Sequence, residues 1–425
     1  MSLYTLSIFL LISLLTCQAK LVVYEWSALD FLWPSVSDRT SAIENGTFIV
    51  ENNVITGLKL FDARVFVTVP RWMRGVPSTM NEIVSNGSNY LLDPYPSWRM
   101  NKIGDCTAMQ YTQSMEIVAK EEEMWLIDVG RIDIFSQNPR NLCPAKLMIL
   151  DLTKNSVKKE HVFSEQVVSS SKNFLNDLAV DPKQRVAYIS NPGETTIVMV
   201  NVETDKEWKI HHKSMAATLD HFYINGNRVN SSTPIDGIAL SPDFSTVYYC
   251  ALSAHNLYSI DTKVMNDPKL DLQKFDSSYR LVGNKRATTD GLIASDKSLY
   301  FGALSNNSVV RWNLENDRIS QNAPFDRVEM KSVEVLEQNN KTLQWADTFA
   351  IDDNGYLWFT ANKLQDFFAG KLDFSGKSGS NFRIWKVKID EKSYLDGVSS
   401  AGPSPLLFCP LFSLIFLYLI GTNCM

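Results

Sequence analysis

A pattern of short strands and turns occurs four times in this chain, at nearly constant spacing. Each copy starts with an aspartate, continues into a brief apolar strand and a turn, and ends in a second strand rich in β-branched and aromatic residues. The starting aspartates are Asp177, Asp236, Asp290 and Asp347, and they lie 59, 54 and 57 residues apart. A repeat of this length that contains only strands and turns is typical of one blade of a β-propeller.

The copy at residues 231–261 is the most complete and predicts strands at 238–240, 247–252 and 256–260. Weaker copies near Val65 and Asp105 extend the repeat toward the start of the chain. We therefore predict an all-β fold, a six-bladed β-propeller at residues 20–395 with four-stranded antiparallel blades around a central channel. We also expect residues 20–35 to pair with the blade at 356–389, because a propeller closes its ring by joining strands from both chain ends.

The two ends of the chain carry hydrophobic segments outside the repeat. Residues 1–19 have an apolar core followed by small residues, which is typical of a secretory signal peptide cleaved after Ala19. In the tail at 396–425, small residues and a short Pro/Ser spacer precede an apolar run. This order is typical of a GPI-attachment signal, with Ser399 or Ser400 as the attachment site. A membrane anchor and an ordinary hydrophobic C-terminus are the alternatives.

An extracellular location agrees with the sequons and cysteines of the body. Asn-X-Ser/Thr sequons predict N-glycosylation at Asn45, Asn86, Asn230, Asn306 and Asn340. An oxidising compartment permits a disulfide, and Cys106 and Cys143 are the preferred pair because they bracket one blade. We expect Cys250, in an apolar strand, to be a buried free thiol. The protein is thus expected to be secreted, or held at the cell surface if the tail carries a GPI anchor.

Charge and motifs argue against several classes of partner and chemistry. The formal net charge is −6 and the pI is near 5.5, which gives no electrostatic reason to expect nucleic-acid binding. We expect no nucleic-acid partner, membrane contact only through the predicted anchor, and a monomer. The sequence has no Gly-X-Ser-X-Gly, His-Glu-X-X-His or phosphate-loop motif, and no Cys/His cluster that would predict a metal site.

Several segments, in their order along residues 22–390, resemble the Yellow/major royal jelly protein family. These segments are FDARVFVTVPRWMRGVP at 61–77, DPYPSW at 93–98, DGIALS at 236–241, WADTF at 345–349 and LWFTANKLQ at 357–365. The resemblance implies a secreted six-bladed propeller. It also implies roles that differ between members: pigmentation and hardening of cuticle or eggshell, melanin-pathway chemistry, nutrition, and binding of biogenic amines in saliva.

Candidate ligand-binding residues lie where the predicted inner strands begin. Loops that enter the inner strands of a propeller can face the channel, so equivalent residues of different blades converge there. Carboxylates at this place would attract an organic amine or Ca²⁺, and a nearby aromatic ring would add cation–π attraction. The candidates for this channel site are Asn176, Asp177, Asp236, Asp290, Asp347, Phe359, Thr360 and Asn362. The alternative is that the aspartates cap turns by accepting backbone N–H bonds and that the strand aromatics fill the core.

The sequence assigns no catalytic residue and leaves three functions open. The favoured one is binding of small aromatic amines or catechols in pigmentation, cuticle or eggshell maturation. The first alternative is a dopachrome-converting tautomerase of the melanin pathway, in which a channel carboxylate or histidine removes a proton. The second is a structural or nutritive extracellular glycoprotein without small-molecule chemistry. Ca²⁺ is the one candidate cofactor, in a lactonase-like site to which Asn176 and Asp236 would supply part of the ligands.

Overall fold

The computed structural model of the chain describes residues 20–87, 89–267 and 276–396. These residues form six antiparallel sheets of four strands, which stand in a ring as the blades of a propeller. The predicted six-bladed β-propeller is therefore confirmed. The predicted signal peptide at 1–19 and the tail from residue 397 onward, with Ser399 and Ser400, lie outside the described residues. Within the three described ranges, no helix combines the length and the apolar character needed to cross a membrane.

The strands follow the chain from blade to blade. The first strand, β1 (Lys20–Trp26), belongs to blade 6, which the end of the chain forms. Blade 1 contains β2 (Gly57–Phe61), β3 (Arg64–Thr68), β4 (Met80–Asn86) and β5 (Asn89–Pro94). Blade 2 contains β6 (Thr112–Val118), β7 (Glu123–Asp128), β10 (Lys146–Asp151) and β11 (Ser156–Val162). A small separate hairpin of β8 (Arg131–Ile132) and β9 (Arg140–Asn141) lies between β7 and β10 in the chain. Blade 3 contains β12 (Leu178–Asp181), β13 (Val186–Asn191), β14 (Thr196–Asn201) and β15 (Lys206–Ile210).

A second small hairpin, of β16 (His221–Ile224) and β17 (Asn227–Asn230), separates blade 3 from blade 4. Blade 4 contains β18 (Ile235–Leu240), β19 (Thr246–Ala251), β20 (Asn256–Asp261) and β21 (Arg280–Asn284). Blade 5 contains β22 (Leu292–Ala294), β23 (Leu299–Ala303), β24 (Ser308–Trp312) and β25 (Val333–Gln338). Blade 6 contains β26 (Ala346–Ile351), β27 (Tyr356–Ala361), β28 (Phe382–Lys388) and β1. The helices are short: α1 (Val36–Glu44), α2 (Thr262–Met265), α3 (Leu314–Gln321) and α4 (Leu364–Phe368). The strands predicted at 238–240, 247–252 and 256–260 correspond to β18, β19 and β20.

The inner strands β2, β6, β12, β18, β22 and β26 surround the channel. They all start at the same face of the propeller. Asp236, at the start of β18, lines a wide cavity, whereas Ala239 farther along the same strand lines the narrow part of the channel. We call the first face the cavity face and the second the closed face.

The middle strands of the blades are buried because neighbouring blades pack against both of their surfaces. Every residue of β13 is buried, whereas the outer strand β11 is mostly exposed. This burial explains the nearly continuous apolar runs of the sequence.

The predicted Cys106–Cys143 disulfide is present and joins the loops that precede β6 and β10. Cys250 is a buried free thiol, as expected.

The ring closes through the two ends of the described chain. Strand β1 pairs antiparallel with β28, from Lys20 opposite Val387 to Trp26 opposite Phe382, which confirms the expected pairing. The Trp26 indole donates a 2.9 Å hydrogen bond to the carbonyl oxygen of Tyr90 and so joins the closing strand to blade 1. The pairing supplies the fourth strand of blade 6 from the start of the chain and so joins the two ends of the ring.

A strap formed by residues 390–396 covers the closed face of the channel. The Tyr394 hydroxyl lies 3.1 Å from the backbone N–H of Val180 and 3.3 Å from the Val180 carbonyl oxygen, on inner strand β12. Next to it, Lys59 and Glu116 form a 3.1 Å ion pair inside the channel. Only about 10 Å³ of free volume remains between the strap and the inner strands. The cavity is therefore open to solvent at one face of the propeller.

Replacing Trp26 by alanine should lower the free energy of unfolding by about 3–5 kcal/mol, because this large side chain is only 7% exposed. Leu21→Ala in the same strand is the matched control. Because Leu21 is 51% exposed, its replacement should cost less than about 0.5 kcal/mol. Urea unfolding followed by circular dichroism measures both variants. Equal losses in the two variants would contradict the role of Trp26 in closing the ring.

Candidate functional site

A cavity of about 520 Å³ lies at the cavity face, over the mouth of the channel. Its floor is made by residues that begin the inner strands. Its walls come from loops, from helix α4 and from the β16–β17 hairpin. We describe the floor first because it contains the charged groups.

Three buried aspartates, Asp236, Asp290 and Asp347, form an acidic floor. Glycines next to two of them allow the inner strands to approach closely. A Cβ at Gly237 would lie 2.4 Å from the carbonyl oxygen of Asp290, and a Cβ at Gly291 would lie 2.3 Å from the carbonyl oxygen of Asp347. Any larger residue at either position would force the strands apart. The Asp-Gly pairs of the sequence therefore bring the carboxyl groups of three blades together.

Each carboxyl group of the floor accepts a hydrogen bond from a neutral donor. The Asn176 amide donates to Asp236 at 2.6 Å, and the Trp345 indole donates to Asp290 at 2.6 Å. The amide of Asn362 donates to Asp347 at 2.9 Å. None of these three donors carries a positive charge. The floor is thus oriented by neutral groups and keeps its attraction for a cation.

Burial shifts the pKa of all three carboxyl groups upward. It raises the pKa of Asp290 to about 6, and it raises the pKa of Asp236 and of Asp347 well above the usual range. The neighbouring charge of Asp290 raises the last two pKa values further. Asp236 and Asp290 also share a hydrogen bond, which raises the pKa of Asp236 and lowers that of Asp290. The two carboxyl groups therefore lose their protons at higher pH than an exposed aspartate does.

Four aromatic side chains from distant parts of the chain form one wall, which we call the aromatic wall: Trp72, Phe135, Phe174 and Phe368. The ring centroid of Trp72 lies 5.5 Å from that of Phe135 and 5.4 Å from that of Phe368. Phe135 also contacts Phe174 edge to face at 5.9 Å. Phe135 is 45% exposed and Phe368 is 50% exposed, so both present ring surface to the cavity. Such a wall can bind a planar aromatic ligand by stacking and edge-to-face contacts.

The β16–β17 hairpin forms the opposite rim with Arg228, Val229 and Asn230. Its tip is held against blade 5 because Asn225 donates to the carbonyl oxygen of Asn340 at 2.7 Å and accepts from Asn307 at 2.8 Å. The base of the hairpin is held by Phe222, a buried residue that packs on the cavity residue Trp345 with ring centroids 5.9 Å apart. The rim is therefore fixed at both ends of the hairpin.

Four of the residues that the sequence proposes for the channel site line this cavity together: Asn176, Asp236, Asp290 and Asp347. Asp177 lies on the other side of the floor, where it accepts a 3.1 Å hydrogen bond from Ser114 and lines the narrow part of the channel. Burial raises the pKa of Asp177 to about 7. In blade 3, the cavity therefore receives the amide of Asn176 instead of a carboxyl group.

The other three proposed residues do not line the cavity. Phe359 is fully buried in blade 6, where it stacks on Trp385 with ring centroids 6.2 Å apart. The Thr360 hydroxyl accepts a 3.4 Å hydrogen bond from the backbone N–H of Thr348. Asn362 lies behind the floor and bridges Asp347 to the carbonyl oxygen of Ile55, which is 2.8 Å from its amide. Asn362 thus positions the carboxyl group of Asp347 and does not itself line the cavity.

Sequence reasoning missed the aromatic wall and Arg228. Trp72 lies in the segment 61–77, which resembles the family, and Phe368 lies three residues after the segment 357–365. No periodic pattern separates either residue from core aromatics. The adjacent pair Phe367-Phe368 in a polar stretch was one signal, since two phenylalanines outside a strand pattern suggest surface aromatics. Phe135 and Phe174 had no comparable signal.

The predicted glycosylation sites and the candidate Ca²⁺ site have different outcomes in the structure. All five sequon asparagines, Asn45, Asn86, Asn230, Asn306 and Asn340, are exposed, and Asn230 lies on the cavity rim. Within residues 20–87, 89–267 and 276–396, no three His, Cys, Asp or Glu side chains are placed to hold a metal ion. The Ca²⁺ prediction thus has no such ligand cluster in these ranges.

Replacing Asp290 by asparagine should raise the melting temperature at pH 8. Because the folded-state pKa of Asp290 is above its usual 3.8, the stability it contributes is complete below about pH 4 and is lost as the pH rises through about 6. The increase in melting temperature of the variant over the native protein should therefore be smaller at pH 4.5 than at pH 8. Asp373 is the control with the opposite sign, because hydrogen bonds from Ser375 lower its pKa to about 2. Asp373→Asn should lower the melting temperature at pH 8. A lower melting temperature for Asp290→Asn at pH 8 would contradict this account of the floor.

The solved structure of an aldose sugar dehydrogenase from Streptomyces coelicolor, in its PQQ-bound form, aligns with 10% identity and a TM-score of 0.47. The alignment covers 87% of this chain and 98% of that chain. A likeness at this level carries no argument about function.

Sequence relatives identify the family. A family model described as "Major royal jelly protein" matches residues 116–395. Protein yellow of Drosophila erecta is 27% identical over 388 residues, which cover 86% of this chain and 68% of that protein. Major royal jelly protein 9 of Apis mellifera is 27% identical over 397 residues, which cover 87% of this chain and 88% of that protein. The chain belongs to the Yellow/major royal jelly protein family.

Proposed function

We propose that the cavity binds a small aromatic amine, including amines with a catechol ring. The observation that carries this proposal is the combination of an acidic floor and an aromatic wall in one cavity. An ammonium group would lie on the floor and an aromatic ring against the wall. The two contacts together select a cation attached to a ring over either group alone.

The floor suits an ammonium group because its carboxyl groups have no cationic partner in the described structure. The hydrogen bonds from Asn176, Trp345 and Asn362 are neutral. A bound ammonium would supply the positive charge that ionised carboxylates need when they are buried. Gln113, Ser231 and Thr233 also line the cavity. Their amide and hydroxyl groups can hydrogen-bond ring hydroxyls.

We propose that the protein performs this binding outside the cell, in pigmentation or in the maturation of cuticle or eggshell. The disulfide and the exposure of all five sequon asparagines support an extracellular location. The role in pigmentation and matrix maturation is supported by family membership alone.

Isothermal titration with tryptamine tests the binding proposal. Affinity should increase from pH 5 to pH 8, because the floor must lose protons to hold the ammonium and the pKa of Asp290 is about 6. Asp290→Asn and Asp347→Asn should each weaken binding about 10- to 100-fold. Asp62→Asn is the matched control, since Asp62 is exposed on the closed face, and should leave affinity unchanged. Absence of binding at pH 8, or equal affinity in all variants, would contradict the proposal.

A dopachrome-converting activity is the second candidate, and the hydrogen-bonded Asp236–Asp290 pair favours it. A carboxyl pair with one proton can remove a proton from a ring and return it at another position, as a tautomerase requires. Purified protein should then accelerate the decay of dopachrome absorbance over a heat-inactivated control. Asp236→Asn should abolish the acceleration, and Asp62→Asn should preserve it. If the native protein gives no acceleration, this activity is excluded and the binding proposal stands by itself.

A further inference from the structure

Arg228 is the one cationic side chain among the described residues that line the cavity. It lies on strand β17, directly opposite Tyr223 of β16. Its side chain is exposed, and it forms neither a hydrogen bond nor an ion pair with any described residue. Asp220 is close enough to respond to its charge: the pKa of Asp220 is lowered first by the hydrogen bond from His221, and in small part by Arg228. The guanidinium group is thus free to bind a ligand.

The hairpin holds Arg228 at a fixed place on the rim. Phe222 packs on Trp345, the residue whose indole donates to the acidic floor. Asn225 ties the hairpin tip to blade 5. The backbone of Arg228 lies between these two contacts, so its position relative to the floor is set by the fold.

We propose that Arg228 is a carboxylate-binding residue, and that the preferred ligand is an aromatic amino acid, or a similar aromatic compound with both an amine and a carboxylate. This inference rests on the proposed amine binding at the floor and adds a second charged contact at the rim. The floor would hold the ammonium group, the aromatic wall the ring, and Arg228 the carboxylate.

The chemistry of the three contacts favours a ligand with both charges. A guanidinium group binds a carboxylate through two parallel hydrogen bonds, which makes arginine well suited to this task. An amine without a carboxylate would occupy the floor but would leave Arg228 without a partner. A ligand that carries both charges gives a partner to the floor and to Arg228, and it adds no net charge to the cavity.

A different role for Arg228, neutralisation of the acidic floor, fits the structure less well. Arg228 forms no ion pair with Asp236, Asp290 or Asp347. The floor already has neutral donors, and burial raises the pKa of its carboxyl groups, which makes their ionisation less favourable. The floor is also buried, whereas Arg228 is exposed at the rim. The two groups are therefore separate binding elements of one cavity.

Titration calorimetry with tryptamine and L-tryptophan tests this inference, because the two probes share the ring and the amine and differ in the carboxylate. The full-length native protein should bind L-tryptophan about 10-fold more tightly than tryptamine. In Arg228→Gln, L-tryptophan affinity should fall about 10- to 100-fold and tryptamine affinity should change less than about 3-fold. Arg228→Lys should restore part of the preference, since lysine keeps the charge but not the paired geometry. Lys297→Gln, an exposed cation outside the cavity, is the control and should change neither affinity.

The outcomes separate this inference from the binding proposal. If tryptamine binds and L-tryptophan binds no better, the inference is wrong and the amine-binding proposal stands. If Arg228→Gln weakens both probes equally, Arg228 has a structural role and the inference is also wrong. If neither probe binds the native protein, both proposals fail.

Discussion

The close approach of neighbouring inner strands is the constraint on which the cavity depends. At Gly237 and Gly291, the carbonyl oxygen of the next strand occupies the space that a side chain would need. This contact brings Asp236, Asp290 and Asp347 to one place, where burial makes their ionisation costly. A tightly packed ring of glycine-containing strands thus produces a group of carboxyl groups that a cation would stabilise. The acidic floor is a consequence of how the blades pack.

The rest of the fold keeps this floor accessible from one side. Strand β1 completes blade 6, and the strap around Tyr394 covers the closed face of the channel. The same packing leaves the loops of the cavity face free to add the aromatic wall and the β16–β17 hairpin. A rigid ring therefore supports a site whose charged floor comes from strands and whose walls come from loops. This division lets loop changes alter the ligand while the fold is kept.

The sequence predicted the parts of this structure that repeat. The spacing of Asp236, Asp290 and Asp347 predicted both the propeller and their convergence. Asp177 has the same place in the repeat, yet Asn176 faces the cavity instead. Successive residues of an extended chain point to opposite sides, so one residue of register decides which side chain reaches the floor. Spacing alone cannot resolve a difference of one residue.

The aromatic wall could not be predicted for a different reason. Its residues lie in loops and in the short helix α4, and these segments have no periodicity that would indicate which side chain points inward. Phe359 illustrates the opposite error, because an aromatic residue near a predicted site turned out to be a core residue stacked on Trp385.

Proton release on amine binding is the measurement that tests the central claim most directly. Tryptamine titrations near pH 6, repeated in buffers with different ionisation enthalpies, give the number of protons exchanged. If an ammonium group binds to the partly protonated floor, it lowers the pKa of the carboxyl groups, and the native protein should release protons. The Asp236→Asn variant should release fewer protons than the native protein. Tryptamine binding without proton release, or with the same release in the variant, would contradict the claim that the acidic floor holds the amine.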